Sequence, residues 1–153
     1  TVYIGSNDKK VYALDAATGT PRWTHTTGGR VRSSPAVVDG TVYIGSNDKK
    51  VYALDAATGT PRWTHTTGGR VTSSPAVVDG TVYIGSNDKK VHALDAATGT
   101  PRWTHTTGGI LGHFLPVSWA GSSPAVVDGT LYIGSADKKV HALGVAPGQD
   151  GAS

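Results

Sequence analysis

The sequence contains no cysteine, no methionine and no glutamate, and phenylalanine occurs once. Without cysteine the chain can form no disulfide bond, no thiolate nucleophile and no cysteine-ligated zinc or iron–sulfur site. No apolar run approaches the roughly 20 residues that a membrane-spanning helix needs, so no membrane span is predicted. Residues that favour helices are scarce, whereas glycine supplies 21 of the 153 residues. The composition therefore favours short strands and turns over helices.

The chain is built from nearly identical copies of a unit of about 40 residues. Residues 1–40 recur as 41–80 with one substitution, in which Thr72 stands where the first copy has Arg32. The third copy begins at Thr81 and contains an insertion before it resumes at Ser122, and a fourth, partial copy ends after Leu143. Recent duplication and deliberate design both account for copies this similar.

Each unit predicts four short strands. Runs rich in β-branched and aromatic residues cover residues 1–6 (strand type B), 10–15 (type C) and 21–27 (type D). A further run over 33–38 (type A) meets the next unit through Asp39-Gly40, a pair typical of two-residue hairpins. Proline cannot donate to a sheet ladder and occurs only in types A and D, so types B and C are predicted to be central. An antiparallel A-B-C-D sheet repeated every 40 residues or so is typical of a β-propeller blade.

One segment of the unit carries a family resemblance. Residues 13–23 read Ala-Leu-Asp-Ala-Ala-Thr-Gly-Thr-Pro-Arg-Trp, and Gly28-Gly29 and Ser33-Ser34-Pro35 follow. In these features the chain resembles PQQ-type (quinoprotein-like) β-propellers. The resemblance implies an extracytoplasmic or secreted protein in which the tryptophan docks across a blade boundary after a glycine turn. The structural docking residues so implied are Trp23, Trp63, Trp103, Gly19, Gly59 and Gly99.

The sequence predicts a single half-ring domain of about four blades. The predicted bounds are 1–29, 30–69, 70–109 and 122–143 for the four blades, 110–121 for an insertion loop and 144–153 for a tail. The first blade lacks strand A and the last lacks strand D, which leaves open sheet edges. Closure to an eight-bladed ring by a homodimer is the favoured solution. A strained four-bladed monomer and a fragment of a longer propeller are the alternatives.

Two surfaces are candidate binding sites. The insertion is predicted to present a hydrophobic recognition loop, or else to pack against neighbouring blades or mediate oligomer contact; its candidate residues are Leu111, His113, Phe114, Leu115 and Trp119. One rim of the propeller is predicted to be basic and to suit an anionic partner, although turn lysines are more often simply solvated. The rim residues are Lys9, Lys10, Lys49, Lys50, Lys89, Lys90, Arg30, Arg32 and Arg70. Nucleic acid is not predicted, because no aromatic residues are interleaved with these charges.

No catalytic residue, metal site or cofactor is predicted. His25, His65 and His105 fall one blade apart on successive D strands, too distant to share a metal ion, and His92 and His141 on strand C face the same objection. The quinoprotein alcohol dehydrogenases that the chain resembles use adjacent cysteines and an acidic calcium site including glutamate, and this sequence has neither residue type. The predicted function is therefore a non-catalytic scaffold for self-assembly and protein or ligand binding. A fragment of a quinoprotein (PQQ-dependent) dehydrogenase or of an extracytoplasmic sensor domain is the alternative.

Overall fold

The structure, a computed structural model, describes residues 1–112 and 122–145. Those residues form fourteen strands and no helix, so they contain no helix that could cross a membrane. In chain order the strands are β1 (Val2–Gly5), β2 (Lys10–Leu14), β3 (Pro21–Thr26), β4 (Ala36–Val38), β5 (Thr41–Gly45), β6 (Lys50–Asp55), β7 (Pro61–Thr66), β8 (Ala76–Val78), β9 (Thr81–Gly85), β10 (Lys90–Asp95), β11 (Pro101–Thr106), β12 (Ala125–Val127), β13 (Thr130–Ser135) and β14 (Lys139–Gly144).

The strands form four separate antiparallel sheets, which are the blades of a partial β-propeller. The strand orders are β1-β2-β3, β4-β5-β6-β7, β8-β9-β10-β11 and β12-β13-β14. Types B and C are central in both four-stranded sheets, as the proline positions predicted. Strands β4, β8 and β12 lie next to one another, so type A is the innermost strand and type D the outermost.

Strand A is shorter than the sequence predicted. It was expected over residues 33–38, but β4 begins at Ala36, after the proline. Pro35 has no amide hydrogen to give to the ladder. The amide of Ser34 before it donates instead to the Ser74 hydroxyl of the next blade, at 2.8 Å. The start of each A segment therefore links neighbouring blades rather than strands of one sheet.

The hairpin between strands A and B follows the predicted turn chemistry. Asp39 and Gly40 have φ values of 48° and 71°, the left-handed region that an Asp-Gly pair tolerates. This turn fixes the register of β4 on β5, in which Val38 lies opposite Thr41. A one-residue slip would turn every apolar side chain of the strand to the opposite face of the blade.

The hydrophobic core is divided among the three joints between consecutive blades. At the joint between the second and third blades, one sheet contributes Tyr43, Val51 and Ala53 and the next contributes Val82, Ile84 and Leu94. The other two joints repeat the pattern with the corresponding residues. Full burial of each large aliphatic side chain contributes about 1.5–3 kcal/mol. A blade is therefore stabilised mainly by the blades on either side of it.

Candidate functional site

The tryptophan on each complete D strand reaches across a blade joint. Trp23 Nε1 donates to the Ala56 carbonyl at 3.0 Å, and the Tyr3 hydroxyl donates to the same oxygen at 2.9 Å. The indole lies over Gly59, where a Cβ atom would stand 2.5 Å from Trp23 Cε3. Gly59 also has a φ of 75°, so both its conformation and its contact require glycine.

The second joint repeats this arrangement, whereas the third does not. Trp63 Nε1 donates to the Ala96 carbonyl at 2.9 Å and packs on Gly99. Trp103 keeps its ring contact with Tyr83, at 5.9 Å between centroids, but no described residue accepts a hydrogen bond from its indole nitrogen. Gly19 has the same left-handed turn conformation as the other two glycines, with open space around it.

On the rim that carries the B–C turns, an aspartate in the turn of the second, third and fourth blades links that blade to the one before it. At the first joint the Gly28 amide donates to Asp48 Oδ2 at 2.9 Å, and the Tyr52 hydroxyl donates to the same oxygen. Asp88 takes this place at the next joint, where His92 Nε2 lies 2.9 Å from its Oδ2. Burial opposes ionisation of Asp88, but the hydrogen bonds from His92 and from the Gly68 amide outweigh it and lower the pKa of the carboxyl to about 2. Sequence reasoning missed these ties, although an aspartate recurs in every B–C turn.

The histidines of the D strands pack across the joints on aromatic rings of the next blade. His25 packs on Tyr52, His65 on His92 and His105 on His141, with ring centroids 5.5–5.7 Å apart. The prediction that the histidines are too distant to share a metal ion compared residues on one strand type, and did not consider that a D strand faces the C strand of the next blade. Burial lowers the pKa of His65, and the neighbouring His92 lowers it further. Within residues 1–112 and 122–145, no group of three potential ligands could hold a metal ion.

The two rims differ in whether their charged side chains form ion pairs with arginine or lysine. On the rim with the B–C turns, no described lysine forms an ion pair, and Arg30 and Arg70 are exposed. Arg32, by contrast, is half-buried. The remaining predicted rim residues are three pairs of adjacent lysines, and the first lysine of each pair has a positive φ. The pairs are Lys9 and Lys10, Lys49 and Lys50, and Lys89 and Lys90.

On the opposite rim three aspartates are neutralised by arginines on the neighbouring D strand. The Arg62 guanidinium lies 2.8 Å from Asp55 and, with the backbone amides of the turn, lowers the pKa of that carboxyl to about 2. The same pairs join Arg22 to Asp15 and Arg102 to Asp95. The sequence signal was available, because in each of the first three copies an arginine follows the aspartate by seven residues.

The second residue of the predicted insertion is a core residue. Leu111 is fully buried, and its amide donates to the Ser86 carbonyl at 3.2 Å. This is the place that Val71 occupies one blade earlier. Leu111 therefore packs between blades and is not exposed for recognition. The other predicted loop residues, His113, Phe114, Leu115 and Trp119, lie outside the described residues.

Comparisons with known proteins agree with this architecture. A family model described as outer membrane protein assembly factor BamB matches residues 7–151. The chain superposes on the crystal structure of BamB from Moraxella catarrhalis with a TM-score of 0.81 and 29% identity, over 96% of this chain and 44% of BamB. No curated protein sequence matches it.

Two other solved structures share the fold at lower identity. A quinohemoprotein alcohol dehydrogenase from Pseudomonas putida HK5 matches 97% of this chain and 31% of its own, with a TM-score of 0.75 and 24% identity. The computationally designed protein Ika4 matches 94% of this chain and 84% of its own, with a TM-score of 0.75 and 18% identity. The chain thus spans less than half the length of BamB and of the dehydrogenase.

Proposed function

Because the chain belongs to the family of PQQ-like β-propeller repeat proteins described as outer membrane protein assembly factor BamB, we propose that it is a non-catalytic scaffold whose copies join end to end and bind a protein or another ligand. The observation that carries this proposal is the state of the two outermost blade faces. Each presents exposed apolar residues whose counterparts are buried or half-buried at the joints inside the chain.

The first of these faces belongs to blade one and is called the leading face; it comprises Val2, Ile4 and Leu14. Ile4 is 51% exposed, whereas Ile44, the same residue one copy later, is fully buried. Val2 is 47% exposed. An exposed apolar patch on a sheet face favours association.

The second is the trailing face of blade four, which comprises Val127, Tyr132, Val140 and Ala142. Val140 is 76% exposed, although Val51 at the equivalent position is fully buried. Inside the chain the trailing face of one blade always meets the leading face of the next. A second copy can therefore cover the trailing face with a leading face of nearly the same sequence.

A head-to-tail contact of this kind closes when the arcs complete a circle. This chain matches 44% of the length of BamB, so two copies supply a similar amount of propeller. We propose a homodimer that forms an eight-bladed ring, with protein or anionic ligands bound on its rims. The unpaired lysines of the B–C turn rim favour an anionic ligand, because an accumulation of positive charge attracts one and speeds its association.

The residues present do not fit the quinone and calcium of the related dehydrogenases. Binding a calcium ion takes several oxygen ligands directed at one point. Most carboxylates of the described residues are instead held in joints and turns: Asp48 by backbone amides and Tyr52, and Asp55 by Arg62. This commitment supports a scaffold rather than a fragment of a quinoprotein dehydrogenase. Titration with quinone and calcium is expected to give no binding and no dye-linked alcohol oxidation.

The mass in solution tests the assembly. Analytical ultracentrifugation of the chain, whose mass is 15.7 kDa, is expected to give about 31 kDa. Val140→Asp buries a charge in the proposed contact and is expected to return the mass to 15.7 kDa. Thr64→Asp adds the same charge to an exposed site on β7 and serves as the matched control, with the dimer retained. A single-chain mass for the unmodified protein at tens of micromolar would refute end-to-end assembly.

A further inference from the structure

The D strand and the loop after it close a groove in each of the first three blades. In blade two, Val71 packs on Gly45, where an added Cβ atom would stand 2.7 Å from the Val71 carbonyl oxygen. The Val71 amide donates to the Ser46 carbonyl at 3.1 Å. The same contact joins Val31 to Gly5 in blade one and Leu111 to Gly85 in blade three.

In blade four the corresponding groove is open. Among the described residues, β14 pairs with β13 on one edge and with no strand on the other. No aliphatic side chain of residues 1–112 or 122–145 covers Gly134, and an added Cβ atom there would stand 3.3 Å from Ser122 Oγ, its nearest described neighbour. A cavity of about 720 Å³ lies here, lined among others by Gly134, Ser135 and Val140.

The open edge has the sequence of an edge that is paired elsewhere in the same chain. Strand β14 reads Lys-Val-His-Ala-Leu, and so does β10 over its first five residues. On β10 these residues pair with β11, with Val91 opposite His105 and Ala93 opposite Trp103. A strand of the β11 sequence would meet on β14 the residues that it meets on β10.

We propose that the outer edge of β14 and the adjoining cavity are a docking site for a separate extended peptide that has the chemistry of a D strand. Its sequence type is Pro-Arg-Trp-Thr-His-Thr-Thr-Gly-Gly-Arg-Val, as in residues 61–71. Its backbone adds a fourth strand to the sheet, which is a recurring mode of peptide recognition. In the register of the complete blades its histidine lies opposite Val140 and its tryptophan opposite Ala142.

The valine at the end of the peptide provides the second contact. By analogy with Val71 on Gly45, it enters the cavity over Gly134 and its amide donates to the Ser135 carbonyl. Specificity thus comes from two side chains, tryptophan and valine, while the strand backbone supplies the hydrogen bonds. The inference names the partner for the binding part of the proposed function and does not require the end-to-end contact.

The test is a fluorescence anisotropy titration of the intact chain with a synthetic peptide of the residue 61–71 sequence, labelled at its amino terminus. Saturable binding of one peptide per chain is expected. A control peptide with tryptophan replaced by serine and valine by aspartate is expected to bind at least tenfold more weakly. Amide hydrogen exchange is expected to slow in β14 and not in β1 when the peptide binds.

Two protein variants locate the site. Gly134→Val fills the cavity and is expected to weaken binding at least tenfold, with folding checked by circular dichroism. Ile4→Asp alters only the leading face and is expected to lower the mass to that of one chain, while saturable binding of the peptide to β14 and the cavity over Gly134 is retained. Equal affinity for both peptides, or no binding at all, would overturn the docking site even if the chain has a mass of 31 kDa, twice the 15.7 kDa of one copy.

Peptide binding by a chain that stays monomeric would support the docking site and refute the proposed assembly. A fall in the mass of the unmodified chain as the peptide saturates would show that a second copy occupies the β14 edge. That result would overturn the proposal that the partner is a separate peptide.

Discussion

Replacing Trp63 with phenylalanine tests whether the indole stabilises the joint through its hydrogen bond as well as through its size. Phenylalanine keeps an aromatic ring near Tyr43 but removes the bond from Nε1 to the Ala96 carbonyl, which is 2.9 Å long. A bond of this kind contributes about 1 kcal/mol. Losing part of the packing on Gly99 costs about 1 kcal/mol more. The unfolding free energy is therefore expected to fall by about 2 kcal/mol.

The repeats provide a matched control for this substitution. Trp103 lies in the same local sequence and has the same ring contact with Tyr83, yet its indole nitrogen donates to no described residue. Trp103→Phe is therefore expected to change the unfolding free energy by less than about 1 kcal/mol. Urea unfolding followed by far-ultraviolet circular dichroism measures both variants, because the loss of a tryptophan would alter a fluorescence signal.

A double-mutant cycle sharpens the test. The Ala96 carbonyl also accepts the Tyr43 hydroxyl at 3.0 Å, so each single loss leaves it one partner. Removing both partners, in Tyr43→Phe combined with Trp63→Phe, leaves a half-buried carbonyl unsatisfied and adds about 1–3 kcal/mol beyond the sum of the single effects. Equal destabilisation by Trp63→Phe and Trp103→Phe, together with additive single effects, would refute the reasoning.

Two further predictions follow from the histidine pairs and from the groove contacts. Because burial lowers the pKa of His65 below its unfolded value of 6.5, the unfolded chain takes up a proton first as the pH falls. The unfolding free energy is thus expected to be constant above about pH 7 and to decline below about pH 6.5. In His65→Gln the decline measured by urea unfolding should be smaller. An identical decline in the variant would contradict the assignment of this pH dependence to His65. Gly45→Ala places a methyl group against Val71 and is expected to cost about 1–3 kcal/mol, whereas Gly134→Ala at the open groove should shift the urea midpoint little; equal shifts would contradict the groove assignment.

The strand order could be predicted because proline gives unambiguous information about edges. Pro21 and Pro61 stand at the first residue of outer strands, and no proline lies in a central strand. The Asp39-Gly40 turn was equally predictable, since few residue pairs accept two positive φ values in succession. These constraints are local, and each of them recurs in several copies of the unit.

Contacts between blades were harder to predict, because the sequence order within a unit does not say which face meets which. The pairing of His65 with His92 joins a D strand to a C strand 27 positions further along the chain. The position of Leu111 was obscured for a different reason. It is the second residue of the predicted insertion, yet it occupies the place that Val71 holds in a shorter loop. The extra residues therefore follow Leu111.

The sameness of the first two joints has a consequence for how such a chain changes in length. Deleting residues 41–80 would connect Gly40 to Thr81 through the turn sequence that already precedes Thr41, and every remaining contact would still find its counterpart. Unequal recombination between the near-identical gene segments can thus add or drop whole units without harming the fold of those that stay. Such an event changes the fraction of the ring that one chain forms. Selection on copy number would therefore act on whether the ring closes, and not on whether the blades fold.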